Sequence, residues 1–349
     1  MNLFNKIKWI IPVITILLAI AACQKEDNND TPNIQETEKD LFAAVEHLGV
    51  CYGPYHYDSL EPLKQTISKA QIESDLTLIS KHFGFLRTYT VADGMDQVVE
   101  IAATKGLEVA LGVNCYPGDA TTTKSDIDKA IEVAKAHPSV VMCIAIGNET
   151  NKKGPTYVEP SIVAGYMDYA HTKMLATGLS MPLTACITGT GAQHPHTIDP
   201  TVEVYAGEIL QKCKDLNKPQ HQVVLLTIYP YWGNSQPDNI DVAMNWSYNN
   251  GISNCEDNFG LTVIIGEIGW PSKNNPTSPR ETVTNMETNF GVTLKWVNGN
   301  NFLNKAYNSF WFEMFDEPFK YKENGVGPYW GLYGKGGKET PKFDIPKLN

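Results

Sequence analysis

VVMCIAIGNE, residues 140–149, is the stretch whose reading decides the fold. Its first seven residues are apolar without alternation, the mark of a strand covered on both faces, as in a parallel sheet. The run ends abruptly in Gly147, Asn148 and Glu149. Seven other stretches share this form: HLGVCYGPY (47–55), GFLRTYT (84–90), LEVALGVN (107–114), MPLTACIT (181–188), VVLLTIYPYW (223–232), LTVIIGEIGW (261–270) and SFWFEMFDEP (309–318). Each but the last is followed by a stretch with helical character. Eight such units predict an α/β fold, a (β/α)8 TIM barrel in a single domain. A doubly wound open sheet is the competing arrangement, but no Gly-rich phosphate loop follows any strand.

Outward from these runs, Ile72, Leu76, Ile79 and Phe83 recur at helical spacing between the first two. SDIDKAIEVAKAH (125–137) opens on a Ser125-Asp126 cap signal, and Pro138 stops it. The segment YKENGVGPYWGLYGKGGKETPKF (321–343) is Gly-rich and predicts a loop capping one barrel face rather than an eighth helix. At the other end, Lys6 and Lys8 precede an apolar run, Trp9 to Ile20, too short to span a bilayer comfortably. Small residues then lead into Cys23, as before an export cleavage point. The stretch resembles a bacterial lipobox. That resemblance implies a signal peptide over 1–22 and lipidation of Cys23. The polar, acidic residues that follow read as a tether over 23–42, ahead of a barrel domain over 43–349. The acidic stretch just after Cys23 resembles surface-export tags of bacterial lipoproteins, which implies anchoring to the outer membrane at the cell surface. A plain signal peptide or short membrane anchor is the alternative.

A formal charge of −11 makes the chain a poor binder of polyanions, so a nucleic-acid partner is not expected. Neutral polysaccharide remains allowed. The 16 Tyr and 7 Trp offer flat, partly polar surfaces suited equally to sugars and to an ordinary core. Of the seven cysteines, Cys51, Cys115, Cys143 and Cys186 fall in or beside apolar runs and read as small hydrophobes; Cys213 and Cys255 lie in candidate helices and leave a disulfide open. No metal-ligand spacing occurs, and no cofactor is expected.

In a barrel of this kind the functional groups gather where strands end. Glu149 ends the fourth run, Glu267 the seventh, and Asp316-Glu317 the eighth. A carboxylate closing such an apolar stretch is costly unless it meets a polar pocket or a rim ion pair. Two carboxylates in one pocket divide the labour of glycosidic cleavage: one protonated to release the leaving oxygen, the other ionised to attack the anomeric carbon. Their repulsion helps keep one proton on the pair.

LGVCYGPY, LRTYT, IAIGNET, TIYPYW, IGEIGWPS and MFDEPFK, in this order, together resemble glycoside hydrolase family 17, the β-1,3-glucanase family, over residues 48 to 345. The resemblance implies a retaining, metal-independent glycosidase, and the reading taken from it is endo action on laminarin-type β-1,3-glucan, with a β-glucan polymer or oligosaccharide as partner. Contact with a membrane is expected only through Cys23; the sequence leaves the oligomeric state open, with a monomer expected. The resemblance makes Glu149 the acid/base and Glu267 the nucleophile. Asn148 would hold the sugar 2-hydroxyl, and Arg87 would keep Glu267 ionised. Tyr52 and Tyr229 would line the cleavage subsite, and Tyr231, Trp232 and Trp270 are platform candidates. Glu317, Lys320 and Glu323 form a charged cluster beside the site. Gly266 and Ile268 stand where the plant-type pattern has Ser and Thr, and Pro318 where it has Asn. These departures leave two other readings open: a β-1,3-glucanosyltransferase, and a surface glycan-binding lipoprotein without turnover.

Overall fold

In the computed structural model, residues 47–348 are described, apart from positions 234, 275, 338 and 339. The signal peptide, Cys23 and the tether lie outside them. Eight parallel strands close a barrel in sequence order: β1 (Leu48–Cys51), β2 (Phe85–Arg87), β3 (Glu108–Val113), β4 (Val141–Asn148), β5 (Leu183–Thr188), β6 (Val223–Thr227), β7 (Thr262–Ile268) and β8 (Ser309–Trp311). Each lies inside one of the eight runs. Seven helices connect them: α1 (Lys69–Ile79), α2 (Val98–Lys105), α3 (Ala120–Ala136), α4 (Pro160–Thr177), α5 (Gly207–Asp215), α6 (Asp241–Ser247) and α7 (Val283–Val297).

Two apolar layers hold the barrel. Outside the strands, Leu48, Val50, Leu86, Val109 and Leu111 pack against helix residues such as Ile72, Leu76, Val99 and Ile127. Inside it, Cys51, Phe85, Ala110, Cys143, Ala145, Cys186, Leu225, Ile264 and Phe310 form a separate cluster. These interior side chains are large at Phe85 and Phe310, whose rings meet edge to face with centroids 5.4 Å apart. Ala145 and Cys186 are among the small members of this cluster. All six described cysteines are free and buried, Cys213 and Cys255 included. Burial pushes the Cys51 and Cys143 thiols up to about 12, so they serve as neutral space-fillers.

Local signals differ from expectation in two places. α3 starts at Ala120, where the Asp119 side chain accepts the Thr122 N–H. Asp126 is therefore not a cap; it sits within the helix and accepts from the Tyr116 hydroxyl at 2.9 Å. The C-terminal segment does more than cap a face. The Asp316 N–H donates to the Tyr333 carbonyl and the Tyr333 N–H to the Met314 carbonyl, Phe343 packs on Phe290 of α7, and Leu348 donates to the His82 carbonyl below β2. The tail thus fills the gap between α7 and α1 that an eighth helix would occupy.

Candidate active site

Both glutamates sit where strand regularity breaks. Pairing of β4 with β5 shifts register between Ala145 and Asn148, and pairing of β7 with β8 between Ile265 and Ile268. Gly147 (φ 79°) and Glu149 (φ 48°) are both left-handed, so the chain turns twice around Asn148. A Cβ on Gly147 would come within 2.7 Å of the Thr150 side chain. The bulge aims Glu149 into the mouth, and its backbone N–H is tied to the Cys186 carbonyl of β5 at 2.9 Å.

Arg87, at the end of β2, crosses the mouth. It is 1% exposed. Its Nη1 donates to the Gly266 carbonyl and to Glu267 Oε1, each at 2.9 Å, and its Nη2 to Asn148 Oδ1 at 2.6 Å. A Cβ on Gly266 would lie 2.9 Å from Cys186 Sγ, so glycine there leaves room for this approach. Tyr89 lies against the guanidinium at 4.7 Å. The second Glu267 oxygen accepts from the Tyr229 hydroxyl at 2.5 Å. With both oxygens accepting, one from a cation, Glu267 is bonded as a carboxylate.

Glu149 has the opposite environment. Its Oε1 accepts from Thr227 Oγ1 at 2.5 Å, and Lys152 Nζ stands 3.6 Å from Oε2. Burial pushes the carboxyl above its usual range and the Glu267 charge adds to this, against the pull of Lys152 and Thr227. One acid is paired with a cation and its neighbour is biased towards keeping its proton.

Beside this pair, Lys320 bridges Glu317 (2.7 Å) and Glu313 (2.8 Å), all three nearly buried. Burial and then the Glu317 charge hold Glu313 well above the usual carboxylate range, against the pull of Lys320. Gly53 makes room for Glu317, whose Oε1 would lie 2.2 Å from a Cβ there. Lys320 Nζ also rests over the Phe312 ring at 4.4 Å, and Phe312 meets both Tyr229 and Trp330 edge on. Glu323 is exposed at the rim.

Three aromatic expectations change. Tyr52 is fully buried and its hydroxyl donates to Asp75 of α1 at 2.8 Å; it packs behind the mouth rather than lining it. Trp270 is fully buried under Arg280, with its indole N–H on the Arg280 carbonyl. Tyr231 is 4% exposed and donates to Glu281. Trp232 does remain open, at 51% exposed, edge-on to Tyr231 and tilted against Trp330. Sequence reasoning missed Thr227, Lys152, Glu313, Phe312 and Trp330. Thr227 carried a signal, as the polar residue ending the sixth apolar run; Glu313 lay hidden between Phe312 and Met314.

The family model of the BtgE/BtgC glycoside hydrolase domain matches residues 49–331. A glucan 1,3-beta-glucosidase of Arthroderma benhamiae is 24% identical over 325 residues, 87% of this chain and 91% of that protein. An endo-laminarinase from Formosa superposes with a TM-score of 0.64 at 20% identity, covering 85% of this chain and 86% of that one. A glycoside hydrolase family 17 β-1,3-glucanosyltransferase from Rhizomucor miehei gives 0.63 at 18%, covering 86% and 98%. The structural likenesses show the barrel, and the family match spans the strands that carry Arg87, Glu149 and Glu267. The resemblance drawn from the strand-end motifs is borne out: the chain belongs to the BtgE/BtgC glycoside hydrolase family and is a glycosidase.

Proposed function

We propose that the chain is a retaining endo-β-1,3-glucan hydrolase, with Glu149 as acid/base and Glu267 as nucleophile. The observation that carries this is the contrast between the two carboxyls. Glu267 is fixed by hydrogen bonds from Arg87 and Tyr229, while burial and the charge of Glu267 bias Glu149 towards its protonated form. In the first step Glu149 gives its proton to the leaving glycosidic oxygen as Glu267 attacks the anomeric carbon. In the second, Glu149 takes a proton from the incoming water, which releases the sugar from Glu267. Asn148, its carbonyl oxygen held by Arg87, has its amide N–H groups for the sugar 2-hydroxyl. The glucan preference is supported by the names of the relatives, a glucan 1,3-beta-glucosidase and an endo-laminarinase.

The test compares the unmutated protein with Glu267→Gln and Glu149→Gln on laminarin, with products resolved by size over time. The expected outcome is a ladder of short oligosaccharides from the unmutated protein and at least about a thousandfold loss in both variants. A ladder from Glu267→Gln at an undiminished rate would end the assignment. Products longer than the donor would mark glucanosyl transfer, and binding of laminarin without cleavage a glycan-binding protein.

We also propose, from the residues around Cys23 alone, that the chain is a lipid-anchored envelope protein at the outer membrane surface. Incorporation of labelled palmitate, lost in Cys23→Ser, is the expected result; equal labelling of both would refute it.

A further inference from the structure

We propose that Lys152 is a positioning residue that sets the pH range in which Glu149 works, acting through an ion pair that the β4–α4 loop is built to present. The inference rests on the assignment of Glu149 as acid/base.

Lys152 follows Glu149 by three residues, and its N–H donates to the Glu149 carbonyl at 3.0 Å. That turn brings Nζ to 3.6 Å from Oε2. The loop is not left to itself. Lys152 forms an antiparallel bridge with Glu203, and Lys153 donates to the Val202 carbonyl at 2.8 Å. Below, fully buried Asn151 donates to Thr188 Oγ1 at 2.8 Å and accepts the Thr188 N–H at 3.2 Å. The backbone under Lys152 is therefore clamped to the end of β5, while the side chain stays 54% exposed. Among the described residues the ammonium's ion pair is with Glu149, so its place there has an electrostatic consequence.

Other groups act on Glu149 from every side. Glu267 of β7, Tyr229 beyond β6 and the Cys186 thiol of β5 lie close, and Thr227 of β6 donates to it. Glu203, held by Thr188 Oγ1 at 2.8 Å, adds a negative charge from the β5–α5 loop, and Arg87 reaches Asn148 next door. Glu323 feels Lys152 from the far rim. Among these, Lys152 is the cation nearest the Glu149 carboxyl. It counters the upward push of burial and Glu267. Glu149 must be protonated for the first step and ionised for the second. A cation at this distance keeps the acid from holding its proton so tightly that the second step suffers.

The sign follows directly. Removing Lys152 favours the protonated acid, so the alkaline limb of kcat/KM moves up. For a half-exposed pair the shift is about 0.2–0.7 pH unit. The experiment measures kcat/KM against pH on a laminari-oligosaccharide for the unmutated protein, Lys152→Met and Lys152→Arg at low salt. The expected result is an upward shift in Lys152→Met, none in Lys152→Arg, and narrowing of the gap near 1 M salt, where screening reaches about 3 Å. An unmoved limb in Lys152→Met, or the same shift in Lys152→Arg, overturns the proposal. Glu149→Gln is run alongside on an aryl glycoside with a good leaving group. A loss that shrinks on that substrate upholds the acid/base assignment, and a static limb then overturns Lys152 alone. A loss equal on both substrates removes Glu149 as the acid, and Lys152 with it.

Discussion

At the scale of residues, function is placed against stability. Glu149 is held above its usual range, so folding favours its protonated form. The contribution is fully present below the unfolded carboxyl's pKa and is lost as pH rises through the folded one. Glu149→Gln imitates the protonated acid at every pH. It should match the unmutated protein in Tm near pH 3.5 and exceed it near pH 8, while losing activity as proposed above. Thermal melts at the two pH values check this; a variant less stable at pH 8 would mean that Thr227 and Lys152 outweigh burial and Glu267. The two glutamates were readable in the sequence because each is the first charged residue after a long apolar run. Their support was less so. Arg87 could be suspected as a cation ending β2, but its reach across the mouth to Asn148 and Gly266 passes a position where a Cβ on Gly266 would crowd Cys186, which only the packed barrel reveals.

At the scale of elements, glycines separate strained positions from idle ones. Gly147 is left-handed (φ 79°) and a Cβ there meets Thr150, whereas Gly165, exposed within α4, has nothing within 4 Å of a Cβ. Gly147→Ala should cost about 1–3 kcal/mol and take activity with it by turning Glu149. Gly165→Ala should stabilise by about 0.5–1 kcal/mol with activity unchanged. Denaturant titration with a laminarin assay reads both; equal effects at the two sites would refute the distinction. The strands were legible to within a few residues because two-sided burial requires unbroken apolar runs. The start of α3 was not: Thr121, Thr122 and Thr123 are weak helix formers, and the cap that starts it, Asp119, stands outside any apolar period. Tyr52, Tyr231 and Trp270 carry aromatic signals, but hydrogen bonds to Asp75, Glu281 and the Arg280 carbonyl turn them into the packing.

At the scale of the molecule, a parallel barrel puts the ends of β2, β4, β6 and β7 around one mouth, and four separate stretches of sequence become one charge arrangement. The tail substitutes for the eighth helix without closing that mouth; Lys342, 2.7 Å from Asp316, ties it to the segment after β8 that carries Glu317 and Lys320. The central claim is a double displacement through Glu267. The most direct test is the anomeric form of the first product, followed by proton NMR during cleavage of a laminari-oligosaccharide before mutarotation equilibrates it. The account predicts that the β-anomer appears first and the α-anomer only later. First appearance of the α-anomer would mean inversion and would contradict Glu267 as nucleophile.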